Sequence, residues 1–270
     1  MSVRNWVVAA VAGVAAAVAG AQQPPKVELI RPASGAAKPE AGKAEAAKPK
    51  SGDELSTMLA EARAALGKTR DYAGTYTRQE RVNGKLGAEQ VGEMKFRTKP
   101  AGVYVKFVRP EASAGMEVAY SAARNDGKVR FRPAGIAGRK GMPALAIDDP
   151  KFLAENRHPV TEWGMGPIVE LIATATARER SLNNPVETFT ADFQFAGRNV
   201  TKYEIHTRRP HAFRYAAKMV VFVDKETKMP VRFEAYGDPK PGTTAGELLE
   251  AYSFTDLKLN NGIGENSFDF

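Results

Sequence analysis

The chain of 270 residues has no cysteine. That excludes a disulfide framework, a thiolate nucleophile, a thiolate-bound metal and an N-terminal cysteine for lipid attachment. Histidine is scarce too, with three copies: His158, His206 and His211. No H-E-x-x-H pair and no G-x-S-x-G elbow occurs, so neither a zinc peptidase nor an α/β-hydrolase is signalled. Gly67-Lys68-Thr69 looks like the end of a phosphate loop. However, Ala62 stands where that loop needs glycine, and the triplet closes a helical pattern instead of opening one. Gly262-Ile263-Gly264 has no helical pattern after it, so no dinucleotide fingerprint forms. Nothing points to a cofactor or a metal.

A strong charge of one sign is also missing from the body of the chain. The overall +8 owes much to the first 50 residues, which hold seven basic and three acidic side chains. Residues 51–270 keep 32 basic and 28 acidic residues, a net of +4. That suits an anionic surface and is too weak to argue for nucleic acid.

What is present begins with an export pattern. Arg4 precedes an apolar run from Trp6 to Ala21, and Ala19-Gly20-Ala21 supplies small residues before Gln22. The run falls short of the roughly 20 residues of a spanning helix. Residues 1–21 read as a cleaved secretory signal, with retention as an anchor as the alternative. Residues 22–50 are rich in Pro, Ala, Lys, Glu and Gly and offer little apolar surface beyond Val27–Ile30. They read as a disordered linker. One domain, 51–270, remains, and it is long enough for a substantial core.

Residues 51–67 predict a helix. Ser51 and Glu54 make a capping-box pair, and Leu55, Met58, Leu59, Ala62 and Leu66 recur at helical spacing. The period then becomes two. Asn83-Gly84 and Asn125-Asp126-Gly127 mark tight turns between alternating runs. After Pro185, Phe189, Ala191, Phe193 and Phe195 share one face of a strand. Roughly ten strands result, joined mostly by short turns, which favours an antiparallel sheet. The middle interrupts them. Residues 135–148 read as a flexible loop containing Arg139 and Lys140. A short helix is expected over "DPKFLAENRH". A longer one opens near Pro167 and carries an apolar stripe, Ile168, Leu171, Ile172 and Ala175.

The segment "ENRHPVTEWG", residues 155–164, has the residue density of an active site. Paired with Glu162 or Glu155, His158 would serve as a general base. The competing reading is structural. Pro159 holds His158 extended and ends the preceding helix, while Val160 and Trp163 supply apolar surface. No nucleophile can be named, so the structural reading is preferred. His206 lies on the polar face of its strand. His211 sits among Arg208, Arg209 and Arg214, which disfavours a divalent cation and suits an anion.

"MVVFVDKETKMPVRFEAYG" and the closing "AYSFTDLKLNNGIGENSFDF" resemble the lipoprotein-carrier superfamily typified by LolA and LolB. The matching positions are Val223 to Pro230, then Phe254, Asp256, Asn260, Gly262 and Phe268. "YTRQERVNGKLGAEQ" and "NRHPVTEWG" resemble a secreted bacterial branch known as a domain of unknown function. The resemblance implies an α+β, mostly β fold: a curved antiparallel half-barrel around an N-terminal helix and a mid-chain helical lid. It also implies an apolar cavity for an acyl chain of a lipid or lipoprotein. Trp163, Met165, Ile168, Leu171, Ile172, Phe107 and Tyr120 are then expected in the cavity or lid. Arg208, Arg209 and Arg214 of the 208–214 turn, or the basic residues of the 130–140 loop, would meet an anionic head group. The expected molecule is a monomeric, non-catalytic binding protein of the periplasm or envelope. A hydrolase using His158 and Glu162, and a protein-interaction module with a filled cavity, stand as alternatives.

Overall fold

A computed structural model describes residues 52–135, 144–243 and 245–269. The expected signal, the linker, the cap Ser51 and the loop residues Arg139 and Lys140 lie outside the described residues.

Eleven strands form one antiparallel sheet, one more than the roughly ten expected, because a two-residue strand follows the Asn83-Gly84 turn. The strands are β1 (Asp71–Val82), β2 (Lys85–Leu86), β3 (Gln90–Arg97), β4 (Gly102–Arg109), β5 (Glu117–Ser121), β6 (Val129–Arg132), β7 (Val186–Phe195), β8 (Arg198–Thr207), β9 (Lys218–Asp224), β10 (Pro230–Pro239) and β11 (Gly246–Leu259). Their order is β6-β5-β4-β3-β1-β11-β10-β9-β8-β7, with β2 paired to β1 alone. Each half is a run of sequence neighbours, joined by turns and loops of which the β8–β9 loop is the longest. The halves meet where β1 pairs with β11. Asn83 and Gly84 both take positive φ (50° and 77°), the backbone that a two-residue hairpin turn demands.

The connection from β6 to β7 must travel from one edge of the sheet to the other. It carries α2 (Pro150–Leu153) and α3 (Met165–Ser181). Asp149 caps α2 by accepting from Lys151 N (2.8 Å), and Pro167 sits in the first turn of α3. With α1 (Gly52–Gly67), α3 covers one face of the sheet. The predicted stripe of α1 is buried in full: Leu55, Met58, Leu59, Ala62 and Leu66. Its core partners include Tyr76, Phe96, Val105, Phe107, Phe233 and Phe254 from the sheet and Ile168, Val169 and Ile172 from α3.

The predicted aromatic face of β7 is turned away from these helices. Phe193 and Phe195 pack with Val200, Val220, Phe222 and Val231 in a second, smaller cluster. Thr188, on the other face of β7, is buried. This part of the sheet is therefore apolar on both sides, which simple alternation does not foretell.

Gly164 marks where the insertion turns into α3. Its φ is +102°, and a Cβ there would lie 2.6 Å from Tyr72 Oη and 3.1 Å from the Phe96 ring. The Tyr72 hydroxyl accepts the next backbone N–H, from Met165, at 3.0 Å. Gly164→Ala therefore combines backbone strain with a clash against a used acceptor. A loss of about 2 kcal/mol is expected, read as a lower urea midpoint.

Candidate functional site

The ten residues 155–164 do not form an isolated loop. Three consecutive side chains or backbone groups of this segment are fixed to the centre of the sheet. Asn156 accepts from Arg78 Nη1 (2.7 Å), and its own amide donates to Phe152 O (2.7 Å). The backbone N–H of Arg157 donates to Glu80 Oε2 (3.0 Å). His158 Nε2 meets Glu250 Oε2 at 2.7 Å, while its Nδ1 meets Glu162 Oε2 at 2.8 Å.

The reason for this clamp lies in the strand register. Glu80 on β1 and Glu250 on β11 are direct cross-strand partners. Two like charges at such positions repel, and here both are buried, Glu250 completely. The insertion supplies the two opposing charges. Arg157 Nε lies 3.0 Å from Glu250 Oε2, although its N–H is not aimed at that oxygen and makes no hydrogen bond. His158 is the second. Tyr215 donates to Glu250 Oε1, and Tyr252 donates to Glu80 Oε1 (2.6 Å) while sitting 3.2 Å from Glu250 Oε2.

Burial works against a charge on His158. The hydrogen bonds and attraction from Glu250, with further help from Glu162, outweigh it and raise the imidazole to about 9. Burial would raise Glu250, but His158, Tyr215 and Arg157 bring it below the ordinary carboxylate value. The ring is thus an imidazolium at neutral pH, with both N–H groups donated to carboxylates. The arrangement is that of an ion-pair clamp.

Beside the clamp, an open groove of about 640 Å³ is lined by residues of both α1 and α3. Leu66, Pro167, Ile168, Val169 and Leu171 give it apolar walls, and His158, Glu162 and Tyr252 its polar end. Arg63 on α1 and Glu170 on α3 form a two-pronged ion pair at its border (2.7 and 2.7 Å). Of the residues expected in the cavity or lid, Ile168 and Leu171 line this groove. Trp163, Met165, Ile172, Phe107 and Tyr120 do not line it; like Ile168, they belong to the buried core cluster. Leu66 and Tyr252 are wall residues that sequence reasoning missed. Leu66 could have been found as the last member of the α1 stripe, whereas Tyr252 becomes visible only through the β1–β11 register.

The three arginines lie elsewhere. Arg208 pairs with Glu187 (2.7 Å), Arg214 pairs with Asp238, and Arg209 is exposed. All three belong to the loop between β8 and β9, beside the C-terminal end of α3 and beyond the groove. His206 pairs with Glu204 (2.8 Å) on the outer face, and His211 Nε2 lies 3.0 Å from both oxygens of Glu179. Among the described residues no group of three or more His, Asp or Glu side chains is placed to hold a metal ion.

The match to the family described as "Protein of unknown function (DUF1571)" covers residues 69–270. The chain belongs to the DUF1571 family. That match takes in the whole sheet, the clamp and α3. A search of the curated proteins found no match. Among solved structures, MucB is similar at a TM-score of 0.50 and 15% identity, covering 81% of this chain and 63% of MucB. This chain therefore spans less than two thirds of that protein's length. The Pseudomonas aeruginosa MucA/MucB complex aligns at 0.44 and 16%, over 80% of this chain and 61% of that one. The lipoprotein LppX of Mycobacterium tuberculosis aligns at 0.45 and 12%, over 81% and 100%. A LolA superfamily protein from Nitrosomonas europaea aligns at 0.32 and 10%, over 80% and 97%. The structural neighbours of this DUF1571 chain thus include LolA superfamily proteins, as its closing motifs suggested.

Proposed function

We propose that this DUF1571 protein is a non-catalytic binding protein of the bacterial envelope that takes an acyl chain of a lipid or lipoprotein into the groove between α1 and α3. The apolar groove carries the reading: its volume of about 640 Å³ falls within the ~300–1,000 Å³ of small-molecule sites, and its walls are aliphatic. Each methylene removed from water contributes about 0.8 kcal/mol, so a long chain needs few polar contacts. The space beneath the helices is filled by the protein's own side chains, which leaves the cleft between the helices as the place for a guest. An N-terminal export pattern and a LolA-like fold agree with an envelope location.

Leu171 is half-buried on the groove wall, so its replacement spares the core. Leu171→Arg is expected to weaken binding of a fluorescent fatty acid about 100-fold, since it removes apolar surface and places a charge against the chain. The melting temperature should hold within a few degrees. Wild-type protein that takes up no fatty acid and yields no acyl lipid on solvent extraction would end this reading.

The second reading replaces the acyl chain by an apolar segment of a partner protein. The openness of the groove favours it, and MucB has been solved with MucA. In that case Leu171→Arg abolishes capture of an envelope protein and leaves fatty-acid uptake, if any, unchanged.

A further inference from the structure

Of the large hydrophobic side chains among the described residues, three are exposed: Val108, Leu182 and Phe213. Two of them share one end of the molecule. Leu182, 51% exposed, follows α3 directly, and Phe213, 74% exposed, is in the β8–β9 loop that packs against that helix end.

The loop is not loosely attached. Asn184 Nδ2 donates to Arg209 O (3.0 Å), and Arg209 N donates back to Asn184 Oδ1 (2.9 Å). Asn184 also donates to Glu179 Oε2 (2.5 Å), and Glu179 holds His211. Arg178 Nη1 reaches Phe213 O at 3.4 Å. Glu179 is 2% exposed and Asn184 4%. Two buried polar side chains thus serve to fix a loop whose tip presents a phenyl ring to water. Burying them has a cost that packing alone would not require, so the outward ring is a built feature.

Arg178 reaches the Phe213 backbone and Arg208 and Arg209 share its loop, while Arg180 lies in the last turn of α3; all four are exposed. Arg208 has Glu187 as its partner, but Arg178, Arg180 and Arg209 have no acidic partner among the described residues. Arg178 and Arg180 also suit the negative end of α3, which explains two of the arginines and neither exposed hydrophobic.

We infer that this end of the molecule is a docking surface for an anionic phospholipid bilayer. Phe213 and Leu182 enter the headgroup layer, while Arg178 and Arg209 face its phosphates. The pairing of a protruding aromatic with unneutralised arginines fits an interface that is greasy at depth and negative at its surface. A soluble polyanion would use the arginines and ignore the ring. The inference stands apart from the groove, because none of these residues lines it.

The test uses the full chain and vesicles of phosphatidylcholine alone or mixed equally with phosphatidylglycerol, followed by co-sedimentation. Wild type is expected to sediment with the mixed vesicles and to be released at about 0.5 M salt, where the Debye length is about 4 Å. Each of Arg178→Gln and Arg209→Gln should lower the partition about fivefold, and Phe213→Ser roughly tenfold. Leu171→Arg should leave it unchanged. Phe213→Trp placed in a Trp6→Phe background should show a blue shift on adding mixed vesicles that the background alone lacks, which a basic segment elsewhere in the chain cannot produce. Vesicle binding that survives the Arg178→Gln/Arg209→Gln/Phe213→Ser triple variant overturns the inference. So does binding to dextran sulfate with no response to Phe213→Ser, or a complete lack of binding to mixed vesicles.

Discussion

Replacing Glu250 by alanine is expected to destabilise the protein by about 3–5 kcal/mol, the range for breaking a buried ion pair from one side. The size follows from what the carboxylate holds. It is fully buried, bonds His158 and Tyr215, and faces Arg157. Without it two cations and two tyrosine hydroxyls stay in a low-dielectric site with Glu80 and Glu162 alone to serve them. The pH profile gives an independent check. His158 is raised from 6.5 to about 9, so its contribution is complete below about pH 6.5 and is lost as pH rises through 9. The difference amounts to about 3 kcal/mol at ~1.4 kcal/mol per tenfold. Glu250 is lowered, so its contribution is present above its ordinary value near 4.5 and is lost as pH falls through the lower folded value. Urea midpoints of the wild type should therefore fall on both sides of neutrality, with a loss between about pH 7 and pH 10 that Glu250→Ala does not show. A wild-type curve that stays flat across that range would sink the clamp.

Arg78 is the second residue with a large effect, for a different reason. Its side chain is buried, yet no carboxylate lies within ion-pair reach among the described residues. The charge is held by neutral oxygens, Asn156 Oδ1 at 2.7 Å and Gln90 Oε1 at 2.8 Å. The guanidinium also lies over the Trp163 ring (4.5 Å) and the Phe107 ring (4.9 Å). Arg78→Ala removes a long packed stem and leaves unpaired the amide oxygens of buried Asn156 and half-buried Gln90, at an expected cost of about 3–4 kcal/mol. Arg78→Lys keeps the charge but cannot reach both oxygens in one plane, and should cost about 2 kcal/mol. Chemical denaturation measures both. Equal stabilities for wild type and Arg78→Lys would show that the planar, stacked geometry contributes nothing.

Much of the architecture was legible from local signals. The α1 stripe, the Asn-Gly turn, the β7 alternation and Pro167 each act within a few residues, and each appears where its chemistry put it. The groove was legible only in part. Ile168 and Leu171, which line it, belong to the readable apolar stripe of α3, but the stripe alone does not say which of its members line a groove. Trp163 and Phe107 read as lining because large apolar side chains look alike in core and cavity; in the structure they flank Arg78. The role of His158 was out of reach for a sharper reason. Its partner Glu250 stands 92 positions away, and the need for a cation there comes from the opposition of Glu80 and Glu250. Strand register is a property of the assembled sheet, so no local motif announces it.

The pairing of β1 with β11 also sets an order of events during folding. Each half of the sheet can zip up from neighbouring hairpins, but the seam between them joins residue 72 to residue 259 and residue 80 to residue 250. Contacts so distant along the chain form slowly. Until they do, two half-sheets each expose an open edge, and Glu80 and Glu250 remain hydrated and apart. The clamp from the insertion can close only after the seam has formed. A chain cut short before β11 would therefore be a sticky, unsealed half-product with the edge of β1 left open to pairing with other chains.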